Sequence, residues 1–129
     1  MNLMNLLLWL VQVLLAVAFG MAGFMKATQP IDALVQGGMA WAAQMPVAVV
    51  RFIGVSELLG AIGLILPAAT GIKPSLTPLA ALGLLTIMIL AMAFHVSRAE
   101  PGALPINMML GGLAAFVAWG RTRKTPIRG

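Results

Sequence analysis

The sequence predicts an all-α fold, an integral membrane four-helix bundle, and three observations carry that prediction. Of 129 residues, 61% are hydrophobic and 9% charged, against roughly 25% charged in ordinary soluble domains. Mean hydropathy is +1.03. Apolar residues gather into four stretches of a length suited to a hydrocarbon core, which takes about 20 helical residues to cross. The length fits one domain, residues 1–129, and excludes both a multidomain soluble enzyme and a disordered tail. With no cysteine, the chain has no disulfide, zinc–thiolate site, iron–sulfur cluster or thiol redox centre.

The first span is expected over residues 3–25, with Trp9 as an interfacial anchor and Lys26 closing its far end. Ala16-Val17-Ala18 resembles a signal-peptidase site, but the stretch has no basic leader and its apolar run is too long, so it reads as a retained helix. Residues 27–46 form the longest interruption. Within it Ile31, Leu34 and Val35 have helical spacing, and Gly37-Gly38 ends that turn, so a short amphipathic segment lying at the interface is expected. The second span, 46–66, opens on Pro46 and is expected to stop before Pro67. A turn rich in breakers leads to the third span, 77–96. The fourth, 104–120, is short, and Trp119 with the basic residues 121–129 anchors its end.

The net charge of +5 is unevenly placed. Arg121, Arg123, Lys124 and Arg128 lie in the last nine residues, which leaves four basic and three acidic groups elsewhere. This reads as a cytoplasmic tail and not as a nucleic-acid-binding face, which would need a basic surface with a reading motif. Four crossings then put both termini and Lys73 in the cytoplasm. Five basic residues lie on that side against two outside, Lys26 and Arg98, or three with Arg51.

Glu57 is the most informative residue. It sits near the middle of the second span, where an ionisable group costs about 3 kcal/mol even on lenient insertion scales. Its helical neighbours include Gly54, Gly60 and Ala61, small residues that let helices approach, so Glu57 points into the bundle. It serves there either as a functional group or as a helix-clamping hydrogen bond. Lys26 either snorkels or turns inward to neutralise Glu57. Arg51 lies six residues before Glu57, ~9 Å along the helix and about 120° around it. It either snorkels or reaches an adjacent face. His95, the one histidine, is a proton carrier near neutrality or an interfacial hydrogen-bonding group. Asn107 opens the fourth helix, as a cap or as a hydrogen-bonding group across the bundle. No metal site is expected, since a lone histidine without clustered carboxylates makes a poor one. The glycine pairs are packing surfaces, not phosphate loops.

Lys26, Arg51, Glu57, His95, Arg98, Glu100 and Asn107 all fall in the outer half or at the midplane, while the inner half is apolar apart from Asn5 and Gln12. A transporter or channel needs polar groups along its whole path. A cavity opening outward over Glu57 fits this distribution better.

At these residues the chain resembles the DoxX-like family of small four-helix membrane proteins. The resemblance is carried by Gly23-Phe24-Met25-Lys26, by Arg51-Phe52-Ile53-Gly54-Val55-Ser56-Glu57-Leu58-Leu59-Gly60 through Leu66-Pro67, by Thr77-Pro78-Leu79-Ala80-Ala81-Leu82-Gly83-Leu84, by Ala93-Phe94-His95 to Glu100, and by Trp119-Gly120-Arg121. It implies a bundle whose polar centre holds the glutamate, lysine, arginine and histidine. It also implies links to quinone-dependent thiosulfate oxidation and membrane oxidoreductase complexes, or, as in similar animal proteins, to chaperoning of receptor subunits.

The resulting expectation is a quinone- or lipid-like ligand site serving a membrane redox complex. Lys26, Arg51, Glu57, His95 and Asn107 would bind the ligand, and Glu57 with His95 would act catalytically by moving protons. The alternative is a non-catalytic chaperone or assembly factor for another membrane protein, and transport of a small solute comes third. Whether the chain is itself an enzyme stays open at this point. Expected partners are the lipid bilayer of the cell membrane, a second membrane protein or redox complex, and a second copy as a homodimer. No cofactor is assigned beyond a bound quinone or lipid.

Overall fold

A computed structural model describes residues 2–98, 102 and 104–127. The chain is an all-α membrane bundle of four long helices: α1 (Leu3–Thr28), α3 (Val47–Thr70), α4 (Leu76–Ser97) and α5 (Leu104–Trp119). A short helix α2 (Ile31–Gln36) and a 3-10 turn (Ala40–Gln44) form a strap between α1 and α3. The segment expected to lie at the interface is therefore helical, and Gly37 closes it. Helices α1, α3 and α4 are each long and apolar enough to cross a membrane. The 16 residues of α5 continue into a wide π-type turn, Gly120–Lys124. Glu100, expected on the outer side, and Arg128, expected in the tail, lie outside the described residues.

The helices pack as two pairs, and glycines show where each contact is tight. In the α1/α3 pair, a Cβ on Gly54 would stand 2.7 Å from the Gly23 carbonyl oxygen and 2.5 Å from the Ala27 nitrogen. The two backbones touch there with no room for a side chain. In the α4/α5 pair, Gly111 lies against Met88. The pairs join near the end that carries both termini: Gly120 meets Leu8, Gly60 meets Leu84 and Gly63 meets Ala80. Leu15, Phe19, Leu64, Leu84, Ala114 and Val117 fill the space between them. At the opposite end the pairs diverge, and the strap covers the gap by packing Leu34 and Ala42 on Val50.

Two expectations need correction. Helix α3 does not stop before Pro67; it runs to Thr70, where Gly71 takes a left-handed conformation and its N–H donates to the Pro67 carbonyl. Proline has no N–H, so the Gly63 carbonyl one turn earlier loses its helical donor. The Thr77 hydroxyl from α4 donates to that oxygen at 2.9 Å. Gln12 of α1 donates to the next carbonyl, Leu64, at 2.6 Å. Helix α4 thus supplies the donor that the proline removes, as a hydrocarbon setting requires.

The second correction concerns Arg121, expected from the sequence to belong to the basic tail. Arg121 is 2% exposed and is no part of a solvated tail. Its Nε donates to Gln12 at 2.7 Å, and its Nη1 donates to Asn5 at 2.7 Å and to the Thr125 carbonyl at 2.9 Å. Its guanidinium also lies 5.6 Å from the Trp9 ring. Burial pushes the Arg121 pKa down, yet a guanidinium keeps its charge at neutral pH. A cation buried among amides and an indole forms the joint between the two helix pairs.

Candidate functional site

Glu57 sits on the buried stripe of α3 with Val50, Gly54, Ala61 and Leu64. It is 1% exposed. The Gly23–Gly54 contact brings the last turn of α1 against it, and Lys26 Nζ donates to Glu57 Oε1 at 2.8 Å. Of the two uses expected for Lys26, the structure shows the inward one. The pair is net neutral, as a charge inside a membrane protein must be if its cost is to be offset. Trp41, carried by the strap, lies over the ammonium with its ring centre 5.5 Å from Nζ.

Arg51 stands apart from this pair. Its Nη1 donates to the carbonyls of Lys26 at 2.9 Å and Gln29 at 2.5 Å. These belong to the end of α1, where carbonyls have no intrahelical donor. Arg51 therefore holds the terminus from which Lys26 projects, and it lines neither cavity.

Two cavities flank the ion pair where the helix pairs diverge. The larger, about 410 Å³, lies between α1 and α5 under the strap, walled by Phe19, Ala22, Met39, Ile106 and Leu110. The smaller, about 230 Å³, lies between α3 and α4, walled by Phe52, Ile53, Ser56, Leu90, Ala91 and Phe94. Among the described residues, six border both: Lys26, Trp41, Glu57, Met88, His95 and Asn107. They form a partition with a charged centre. Four of the five residues singled out in the sequence thus come together, and Arg51 does not.

Asn107 is 8% exposed, and its amide nitrogen has no hydrogen-bond partner among the described residues. A buried amide left so costs about 1–3 kcal/mol. It is a donor pointing into the partition that a bound acceptor oxygen would satisfy. His95 is buried at the end of α4, edge-on to Phe94. Among the described residues no cluster of three metal-ligating side chains exists. Trp41 and Met88 escaped the sequence reading, since a loop tryptophan and a helix methionine ordinarily read as anchor and core filler. The signal for Trp41 was its place between Gly37-Gly38 and Pro46, in the loop that follows Lys26.

The chain matches the DoxX-like family over residues 10–117. It belongs to the DoxX-like family. The matched region takes in the Gly23–Gly54 crossing, the Lys26–Glu57 pair and all six partition residues of this DoxX-like bundle. No curated protein and no solved structure matches it.

Proposed function

We propose that this DoxX-like protein binds a quinone- or lipid-like ligand in the larger cavity and serves as the ligand-binding subunit of a membrane redox complex. The observation that supports this reading is a self-neutralised Lys26–Glu57 pair in the wall of a mostly apolar chamber of about 410 Å³. That volume falls in the range of small-molecule sites, which pair apolar walls with a few placed polar groups. Because the pair cancels its own charge, a neutral head suits it better than an ion. Lys26 and Asn107 would donate to a carbonyl oxygen, and Glu57 with His95 would pass protons. Arg51 would act through α1 by fixing its terminal turn. In this reading the bundle lies in the cell membrane with both termini cytoplasmic.

Native mass spectrometry of gently extracted protein tests the proposal. A co-purifying neutral amphiphile, lost from the double variant Lys26→Met/Glu57→Met, is the expected result. Protein that carries no ligand and gives no quinone-dependent signal with its neighbours present would overturn it. One observation favours an assembly factor instead: Gly83 and Gly112 face open space, offering helix-packing surface unused within the bundle. A membrane partner lost on Gly112→Leu but retained on Glu57→Gln would favour that second reading.

A further inference from the structure

The ligand-site reading leaves the smaller cavity without a role. Beyond the shared partition, the described residues of its walls are apolar except Ser56, with Phe52, Ile53, Leu90, Ala91 and Phe94 prominent among them. Phe52 is 72% exposed and Leu90 64% exposed, on helices long and apolar enough to span. In a bilayer the rim of this cavity would therefore meet lipid chains. Toward the termini the gap closes, because Gly60 and Gly63 seat Leu84 and Ala80. The crevice is open at the side, blind at the bottom and bounded inside by Lys26, Glu57 and Asn107.

We infer that the α3/α4 crevice is a subsite for the apolar chain of an amphiphile whose head meets the Lys26–Glu57 partition, and that the ligand reaches the site sideways from the bilayer. This rests on the ligand-site reading and adds to it the class of ligand, one that carries a hydrocarbon chain. The apolar walls of the crevice offer a headgroup nothing; only a chain uses them. The chain gains contact with Phe52, Ile53, Leu90 and Phe94 without leaving an apolar setting, and the acceptor oxygen of the head meets the unpartnered amide of Asn107.

The test uses the full-length protein in lipid nanodiscs and pairs of probes with the same head. The first pair is 2,3-dimethoxy-5-methyl-1,4-benzoquinone and its 6-decyl homologue; the second is glycerol and monodecanoylglycerol. Ala91→Phe from α4 and Ser56→Phe from α3 each fill the crevice, and either variant suffices if the other does not fold. Binding is read by native mass spectrometry. Against wild type, the expected result is at least a tenfold weaker Kd for the decyl member of one pair, with the chainless quinone unchanged. Equal weakening of both quinones, or no change in either pair, overturns the crevice subsite while the larger chamber stands. A wild-type protein that binds neither quinone nor monodecanoylglycerol overturns the ligand-site reading, and the subsite with it.

Discussion

Arg121 and Gln12 are 109 residues apart in the chain and share a hydrogen bond of 2.7 Å. Gln12 in turn donates to the Leu64 carbonyl, so one glutamine side chain links α1, α3 and the turn that follows α5. Both ends of its amide are used, and both of its partners are buried or in helix backbone. The arrangement closes the bundle at the end opposite the cavities.

Truncating Arg121 removes three hydrogen bonds and leaves Gln12 short of a donor. Arg121→Ala should cost about 2–3 kcal/mol, in the range for hydrogen bonds to a charged group. Arg123 is exposed, and Arg123→Ala should stay within about 0.5 kcal/mol of wild type. Reversible unfolding of the two variants in detergent, followed by circular dichroism, checks the contrast.

Pro67 and Thr77 should be coupled. Thr77→Val strips the Gly63 carbonyl of its donor and should destabilise by about 1 kcal/mol, typical of hydrogen bonds between membrane helices. In a Pro67→Ala background the restored N–H at position 67 can bond that same carbonyl, so Thr77→Val should then cost less. A double-mutant cycle with a coupling energy near zero would show that the hydroxyl does not substitute for the missing N–H.

The Lys26–Glu57 pair should behave asymmetrically on substitution. Either single change, Lys26→Met or Glu57→Met, leaves one buried charge without its partner and should cost about 3–5 kcal/mol. The double variant should recover most of that loss, because an apolar pair of similar volume is often as stable as a buried ion pair. Thermal unfolding of all three variants measures this, and a double variant no better than the worse single one would contradict it.

The α1/α3 crossing should tolerate no side chain at its centre. Gly54→Ala would place a Cβ within 2.5–2.7 Å of α1 backbone atoms, and overpacking of this kind costs about 1–3 kcal/mol. Gly112→Ala, whose Cβ would meet nothing within 4 Å, is the matched control. Melting temperatures of the two proteins should separate clearly.

Much of this was legible in the residue string, and the exceptions have a common cause. The long helices followed from apolar runs, because an unbroken apolar stretch of about 20 residues crosses a bilayer as a helix. Glu57 stood out as a carboxylate among small residues, and Lys26 as the cation at the neighbouring helix end. What stayed hidden depends on a partner distant in sequence. Pro67 reads as a stop unless Thr77 is known to serve the Gly63 carbonyl one turn before it. Arg121 reads as one of a basic run until Asn5 and Gln12 are brought beside it. Arg51 looked available to a ligand because the open carbonyls at the end of α1 are invisible in a string of side chains.

The meeting of Gly23 and Gly54 has an evolutionary consequence. Main chain against main chain leaves no rotamer to adjust, so the reach from Lys26 to Glu57 is set by geometry that drift cannot retune in small steps. The chamber walls are another matter: Phe19, Ile53, Leu90 and Ile106 are ordinary apolar side chains, open to exchange for others of similar bulk. A lineage built on this scaffold can therefore reshape its cavities while its charged centre stays fixed, and descendants with unlike chambers would still share the same two glycines.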